Sequence, residues 1–145
     1  MDLATIGFTR TSAHDFFERL RAARLPLVLD VRLNNTSQLA GFAKRDDLAY
    51  FLRSICDMDY REEPLLAPEE DLLKAYRSKA IAWDDYVPQY NRLLEERDVA
   101  ANLPYLQGTP GAVLLCSEAT PDQCHRRLAA EFLAERWKDV TIRHL

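Results

Sequence analysis

The chain has 145 residues, of which 48% are hydrophobic and 29% are charged, and its formal net charge is -4. This length and composition are typical of one globular domain and exclude intrinsic disorder and collagen-like structure. The net negative charge argues against a protein that binds nucleic acid over its whole surface, although it is compatible with a local basic patch.

Several features of the sequence predict a protein of the reducing cytosol. Residues 1–4 lack the basic and apolar regions of a secretion signal, and three cysteines do not suggest a disulfide framework. The longest apolar runs, residues 25–29 and 112–116, are far shorter than the about 20 residues of a membrane span. The four glycines form no G-x-G-x-x-G or Walker array, which excludes the usual dinucleotide and P-loop folds. We therefore expect a cytoplasmic protein that does not contact a membrane.

The first part of the chain predicts two buried strands joined by a helix. Residues 4–8 are an apolar run, and Ser12 is a suitable N-cap for a helix with apolar residues at helical spacing. Pro26 ends that helix, and residues 27–31 form a second apolar strand. This order predicts a βαβ unit with a right-handed crossover. The polar residues 32–45 predict a loop.

The middle of the chain predicts three helices and one short strand. Apolar residues at helical spacing between positions 48 and 55 predict an amphipathic helix. Cys56 continues the apolar stripe of this helix and is predicted to be a small core residue. Residues 58–63 predict an edge strand. Two helices are expected within residues 64–98, and the aromatic stripe of the second is typical of a core face. Pro88 fits that helix only if it lies in the first turn.

The last part of the chain predicts a strand, a helix and a final strand. Residues 112–116 are the most clearly apolar run. Thr120 has the position of an N-cap, with Pro121 next and Gln123 third, which is typical of a helix start. The helix should run to about residue 138, and residues 140–143 predict the last strand.

The alternation of strands and helices predicts a single α/β domain over residues 1–145, with three layers and a mostly parallel sheet flanked by helices. Ligands of such sheets bind beyond the carboxyl ends of the strands. We therefore expect the residues that follow the predicted strands and open the last helix to line one pocket: Thr9, Arg10, Asp30, Arg32, Cys116, Glu118 and Arg126.

Arg126 lies near the start of the predicted last helix, where a cation opposes the helix dipole. An anion between the guanidinium and the helix end would make this placement favourable, because both groups attract it. The alternative is a solvated arginine, or one that pairs with Glu118 or Asp30. On the first interpretation a phosphate or sulfate binds at the helix start, although the carboxylate of Asp122 weakens its affinity.

The cysteines near this helix start have three interpretations. Cys124 beside His125 and Arg126 has surroundings that lower a thiol pKa, so Cys124 or Cys116 is a candidate nucleophile. Both thiols, His125 and Glu118 also offer metal-ligand atoms, but their spacing matches no standard zinc motif, and we predict no metal and no cofactor. In the third interpretation both thiols are small core residues, and His125 is a core histidine that bonds a strand-end carbonyl.

Three elements of the sequence stand out together: TIGFTRTS at Thr5–Ser12, DVR at Asp30–Arg32 and CSEATPDQCHR at Cys116–Arg126. With the terminal His144-Leu145, they resemble domain-of-unknown-function family 488 of bacteria and archaea. The resemblance covers nearly the whole chain and implies a compact α/β domain with a site built from these elements. The Phe-x-Lys element of the family corresponds to Phe42-Ala43-Lys44. The resemblance implies no activity.

We predict a domain that binds an anionic small molecule, phosphate-containing or nucleotide-like. The candidate catalytic residues are Cys116, Cys124, Asp30 and Glu118. The candidate ligand-binding residues are Thr9, Arg10, Ser12, Arg32, Lys44, His125 and Arg126. Two alternatives stay open: a non-catalytic module that binds nucleic acid or a protein partner through the same basic edge, and a protein whose strand-end polar groups only satisfy one another. The net negative charge disfavours nucleic acid.

Overall fold

The computed structural model describes residues 1–36 and 40–145. Within these residues it has five strands: Asp2–Ile6 (β1), Leu27–Asp30 (β2), Asp59–Glu62 (β3), Gly111–Leu115 (β4) and Thr141–His144 (β5). It also has five α-helices: Ala13–Ala23 (α1), Arg45–Phe51 (α2), Glu70–Arg77 (α3), Trp83–Glu96 (α4) and His125–Arg136 (α5). A π-helical turn, Leu52–Cys56, continues α2. No helix of the described residues is long and apolar enough to cross a membrane.

The five strands form one parallel sheet in the order β3-β2-β4-β1-β5. This arrangement confirms the predicted α/β fold with a parallel sheet, and β3 is the predicted edge strand. Leu115 of β4 pairs with Ile6 of β1 on one side and with Asp30 of β2 on the other. The carboxyl ends of β1, β2 and β4 therefore lie side by side, and the segments that follow them meet at one edge.

The sheet separates two apolar clusters because successive residues of a strand point to opposite faces. Leu115 packs with Phe16 of α1 and Leu48 of α2 on what we call the α1 side. Leu114 packs with Tyr90 of α4 and with the buried residues of α5 on the α5 side. Helices thus cover both faces of the sheet.

Local signals explain α1 well. The Ser12 hydroxyl accepts a hydrogen bond from the backbone N–H of Asp15 at 3.1 Å, so Ser12 is the predicted N-cap. The helix ends at Arg24, which adopts a left-handed conformation with φ 54°. Cys56 packs against the apolar cluster of the α1 side, as predicted, and its thiol donates to the Phe17 carbonyl at 3.6 Å. Of the predicted loop at 32–45, residues 37–39 lie outside the described residues.

Two details of the helix predictions are wrong. The last helix begins at His125 rather than Thr120, since residues 120–123 form bends and a turn and Cys124 is extended, with φ -135°. The Thr-Pro-Asp-Gln pattern suits a turn as well as a helix start, because Pro presets φ and Asp favours turns. Pro88 is the sixth residue of α4, not part of its first turn. Both Pro88 and Asp84 are exposed, so water can bond the Asp84 carbonyl that Pro88 leaves without a donor.

Candidate functional site

A cleft of about 340 Å³ opens beyond the carboxyl ends of β2 and β4. Its size lies within the usual range of small-molecule sites, which is about 300 to 1,000 Å³. The segments after β2 and β4, the start of α5, and parts of α3 and α4 surround it. Its lining includes Arg32, Tyr76, Arg77, Trp83, Tyr86, Cys116, Glu118, Cys124 and His125.

Arg32 is held in the cleft by a two-point ion pair. Its Nε donates to Oδ1 of Asp30 at 2.8 Å and its Nη2 donates to Oδ2 at 2.7 Å. The side chains of both residues are almost completely buried. The Tyr60 hydroxyl donates a further hydrogen bond to the Asp30 carboxylate, and the Arg32 guanidinium lies 5.3 Å from the centre of the Phe8 ring. These contacts fix the direction of the guanidinium.

One donor of Arg32 is left over by this arrangement. Nη1 is buried and has no hydrogen-bond partner among residues 1–36 and 40–145. A buried polar atom without a partner costs about 1 to 3 kcal/mol, so its presence calls for an explanation. Arg32 itself lines the cleft, so a ligand there is one candidate for the missing acceptor.

Cys116, Cys124 and His125 form a compact cluster at the bottom of the cleft. Their ligand atoms, two sulfurs and one ring nitrogen, all lie within 4.8 Å of one another, and all three residues are buried. Nε2 of His125 is 2.7 Å from the Val31 carbonyl, which is the strand-end hydrogen bond expected from the sequence. A carbonyl can only accept, so Nε2 carries the proton and donates.

The sulfur and imidazole groups shift one another's proton affinities. Hydrogen bonds from the Cys124 thiol and from His125 hold the pKa of Cys116 well below its ordinary value, against the opposing effect of burial. The same bond to Cys116, together with burial, raises the pKa of Cys124. Burial is the largest single effect and lowers the pKa of His125, but the charge of the Cys116 sulfur, its hydrogen bond and the Val31 carbonyl together raise this pKa above its ordinary value. The cluster therefore has the chemistry of a nucleophilic thiolate or of a metal site.

Aromatic side chains form the wall of the cleft that α3 and α4 supply. The ring of Trp83 stacks on Tyr86 with centres 5.2 Å apart, and Tyr76 packs against both rings. The Tyr76 hydroxyl donates to Oε1 of Gln123 at 3.0 Å, which ties α3 to the segment before α5. Tyr86 is buried, whereas Tyr76 and Trp83 are half-buried and turn part of their surface to the cleft.

A sequence model described as Domain of unknown function DUF488 matches residues 12–133. The chain belongs to this family. The resemblance found in the sequence motifs is thereby confirmed, and every residue that lines the cleft lies in the matched segment. No curated protein and no solved structure matches the chain.

Three of the seven residues predicted to line one pocket, Arg32, Cys116 and Glu118, do line this cleft. Asp30 does not line this cleft, and its carboxylate instead contacts and orients the Arg32 guanidinium. Of the other candidates, Cys124 and His125 also line the cleft.

Arg126 does not line the cleft as predicted, and its side chain makes a contact inside the protein instead. Its side chain is buried and Nη1 donates to the Glu118 carbonyl at 2.6 Å, while Nε has no partner within the described chain. Gly7 makes room for this contact, because a Cβ there would lie 1.5 Å from the Glu118 carbonyl oxygen. Arg126 therefore joins the start of α5 to the segment after β4, close to Gly7.

The remaining candidates lie outside the cleft. Thr9 donates from its hydroxyl to the Ser117 carbonyl at 2.6 Å, so it braces the segment that carries Cys116. Arg10 is exposed, with a left-handed φ of 58°. Ser12 caps α1, and Lys44 is exposed at the start of α2. None of these four is among the lining residues.

Sequence reasoning missed the contributions of α3 and α4. Tyr76 and Trp83 belong to a helical apolar pattern, which indicated that their rings pack in the core but not that they border a cleft. Arg77 directly follows Tyr76 at the end of α3 and also lines the cleft. Tyr60 had no signal beyond its edge strand, because its bond to Asp30 depends on strand pairing.

Proposed function

We propose that this protein binds a phosphate-containing, nucleotide-like anion in the cleft, with Arg32 as its principal contact. The observation that carries the proposal is the buried Nη1 of Arg32, which has no partner within the described residues. A guanidinium presents its donors in a planar fork that matches phosphate oxygens. Because Nε and Nη2 donate to Asp30, the orientation of Nη1 is fixed, and Nη1 is available to donate a hydrogen bond to one such oxygen.

Charge at the site favours a small ligand over a nucleic-acid backbone. The positive charge of Arg32 is largely balanced by Asp30, and the exposed Arg77 adds one further positive charge near the cleft. Affinity then depends on directed hydrogen bonds more than on net charge. Backbone binding to DNA instead needs many phosphate contacts and falls steeply with salt concentration.

The cleft also has groups that suit the other parts of a nucleotide. The half-buried rings of Tyr76 and Trp83 offer an apolar face on which a base can stack. Glu118 is exposed at the cleft, where its carboxylate repels a bare phosphate but accepts hydrogen bonds from sugar hydroxyls. A ligand that combines a planar ring, hydroxyl groups and phosphate therefore fits better than inorganic phosphate.

Calorimetric titration of the full chain tests the proposal. We expect saturable binding of AMP or ATP, weaker binding of adenosine and of inorganic phosphate, and little dependence on salt. Arg32→Lys keeps a charge for Asp30 but removes the fork, and should weaken nucleotide binding about tenfold or more, the equivalent of one charged hydrogen bond. Arg53→Lys, at an exposed arginine, is the control and should have no effect.

A second variant tests the aromatic wall. Trp83→Ala should lower nucleotide affinity about fivefold or more, since base stacking contributes about 1 to 3 kcal/mol. Tyr50→Ala, at an exposed aromatic residue of α2, should leave the affinity unchanged. Failure of every phosphate ligand to bind, or unchanged affinity in Arg32→Lys, would contradict the proposal. Binding only to duplex DNA with a steep salt dependence would favour the nucleic-acid alternative.

A further inference from the structure

The cluster of Cys116, Cys124 and His125 has the composition of a metal site. One thiol follows β4, the second is the N-cap of α5, and the imidazole is the first residue of that helix. The three ligand atoms lie within 4.8 Å of one another, and the exposed fractions of the residues are 3%, 2% and 8%. In a tetrahedral zinc site with bonds of about 2.0 to 2.3 Å, such atoms lie about 3.3 to 3.8 Å apart. Small movements of the side chains would therefore bring all three to one ion.

The hydrogen bond of His125 prepares its ring for a metal. Because Nε2 donates to the Val31 carbonyl at 2.7 Å, the neutral form of the ring, which is the form that binds a metal, has its lone pair on Nδ1. Histidines that bind metals usually donate their other ring N–H to a carbonyl or carboxylate, which sets the tautomer and the direction of the ring. The Val31 carbonyl has that position here.

The donor set indicates which ion it would take. Sulfur and imidazole ligands favour zinc over magnesium or calcium, which prefer oxygen. Each thiol gives up its proton when it binds, so two thiolates and one divalent cation leave no net charge at this buried place. All three residues line the cleft, and a site with three protein ligands keeps a fourth position for water or a ligand.

We infer that Cys116, Cys124 and His125 bind one zinc-type divalent cation whose fourth position faces the cleft. Packing alone does not require two thiols and a directed imidazole to meet at the bottom of an open cleft. Cys56 provides the contrast within the same chain. It packs on the α1 side and its thiol donates to a backbone carbonyl, away from the cluster.

Metal titration of the full chain tests this inference. The protein is stripped with a chelator, kept reduced and titrated with Zn²⁺ against a chromophoric chelator, with Mg²⁺ as the negative comparison. We expect one equivalent of zinc per chain and none of magnesium. Co²⁺ in place of zinc should give thiolate-to-metal charge-transfer absorption. Nucleotide is absent from these titrations, so failure here and failure of the anion proposal are separate results.

Variants assign the ligands. Cys116→Ser, Cys124→Ser and His125→Gln should each weaken zinc binding more than about 100-fold, because partners that merely orient a ligand already contribute about 10- to 100-fold. Cys56→Ser is the matched control and should bind as the wild type does. Thermal unfolding of each metal-free variant shows whether it folds. If a variant does not fold, the cobalt spectrum of the wild-type protein is the deciding test, and absence of the charge-transfer band overturns the inference. Less than one equivalent of zinc, or full affinity in Cys116→Ser, overturns it as well.

Discussion

The two sides of the sheet are built from different kinds of residue. The buried hydrophobic cluster on the α1 side includes the rings of Phe8, Phe16 and Phe17, with Phe42 packed against them, and among the described residues it has no fully buried tyrosine or cysteine. The cluster on the α5 side mixes aliphatic residues with Tyr86, Tyr90, Cys116 and Cys124. One of these polar groups has a directed partner within the core, since the Tyr90 hydroxyl donates to the Leu66 carbonyl at 2.7 Å.

We expect this difference to separate residues that only stabilise the fold from residues that also serve the proposed binding. A polar atom in a core lowers stability unless it is hydrogen-bonded, so an all-apolar cluster stabilises the fold most simply. The α5 side accepts polar groups and places them next to the cleft. Substitutions on the α1 side that lie away from Asp30 and Arg32, such as those at Phe16, should therefore change stability alone, whereas those at the cleft should also change binding.

The largest effect is expected when the buried ion pair at the cleft is broken. Asp30→Asn leaves the Arg32 guanidinium buried without a carboxylate, and should lower the free energy of unfolding by about 3 to 5 kcal/mol. Urea denaturation measures this loss. Glu62→Gln, at an exposed carboxylate of β3, should cost less than about 1 kcal/mol. Equal losses of unfolding free energy in the two variants would contradict the expectation that a buried ion pair costs more to break than an exposed one.

A cavity on the α1 side should cost a similar amount without any effect on the cleft. Phe16 is fully buried, and its ring centre is 5.1 Å from that of Phe17. Phe16→Ala should lower the free energy of unfolding by about 3 to 5 kcal/mol. The folded protein should keep wild-type affinity for nucleotide in calorimetry. A loss of nucleotide affinity at temperatures where the variant is folded would contradict the expectation that the α1 side affects stability alone.

Gly7 should tolerate no side chain, because it lies against the segment that carries the cleft. The Cβ of Gly7→Ala would be 1.5 Å from the Glu118 carbonyl oxygen and 2.9 Å from Nη1 of Arg126. We expect destabilisation of about 1 to 3 kcal/mol or more, measured by thermal and urea unfolding. Gly41→Ala is the control, since no heavy atom of the described residues lies within 4 Å of its added Cβ. Equal stability of the two variants would contradict the close contact.

The smallest effect concerns the hydroxyl behind the ion pair. Tyr60→Phe removes one hydrogen bond to Asp30 but leaves both bonds from Arg32, so the expected loss is about 0.5 to 1.5 kcal/mol. Nucleotide affinity should fall slightly as the guanidinium gains freedom. Tyr50→Phe, at an exposed tyrosine, should change neither quantity. If Tyr60→Phe lowered the free energy of unfolding as much as Asp30→Asn does, the tyrosine hydroxyl, and not the ion pair, would be the main stabilising contact at this place.

Most elements of the fold were predictable because their signals are local. Ser12 caps α1 through a bond three residues along the chain, and the apolar run of β4 indicates a strand buried on both faces. The start of α5 was not predictable in this way. Thr120–Gln123 satisfies the rules for a helix start and for a turn. The turn is accompanied by the contact of His125 with the distant Val31, and by contacts of Cys124 and Arg126 with the nearby segment after β4.

The sequence by itself determined the α/β class, the family and the presence of Arg32, Cys116 and His125 at element ends. Only the tertiary structure decided which of the charged residues face the cleft. His125 meets the Val31 carbonyl across 94 positions of the chain, and Tyr60 meets Asp30 across 30. Such contacts depend on strand order and helix packing, which bring distant segments together and leave no periodic pattern in the sequence.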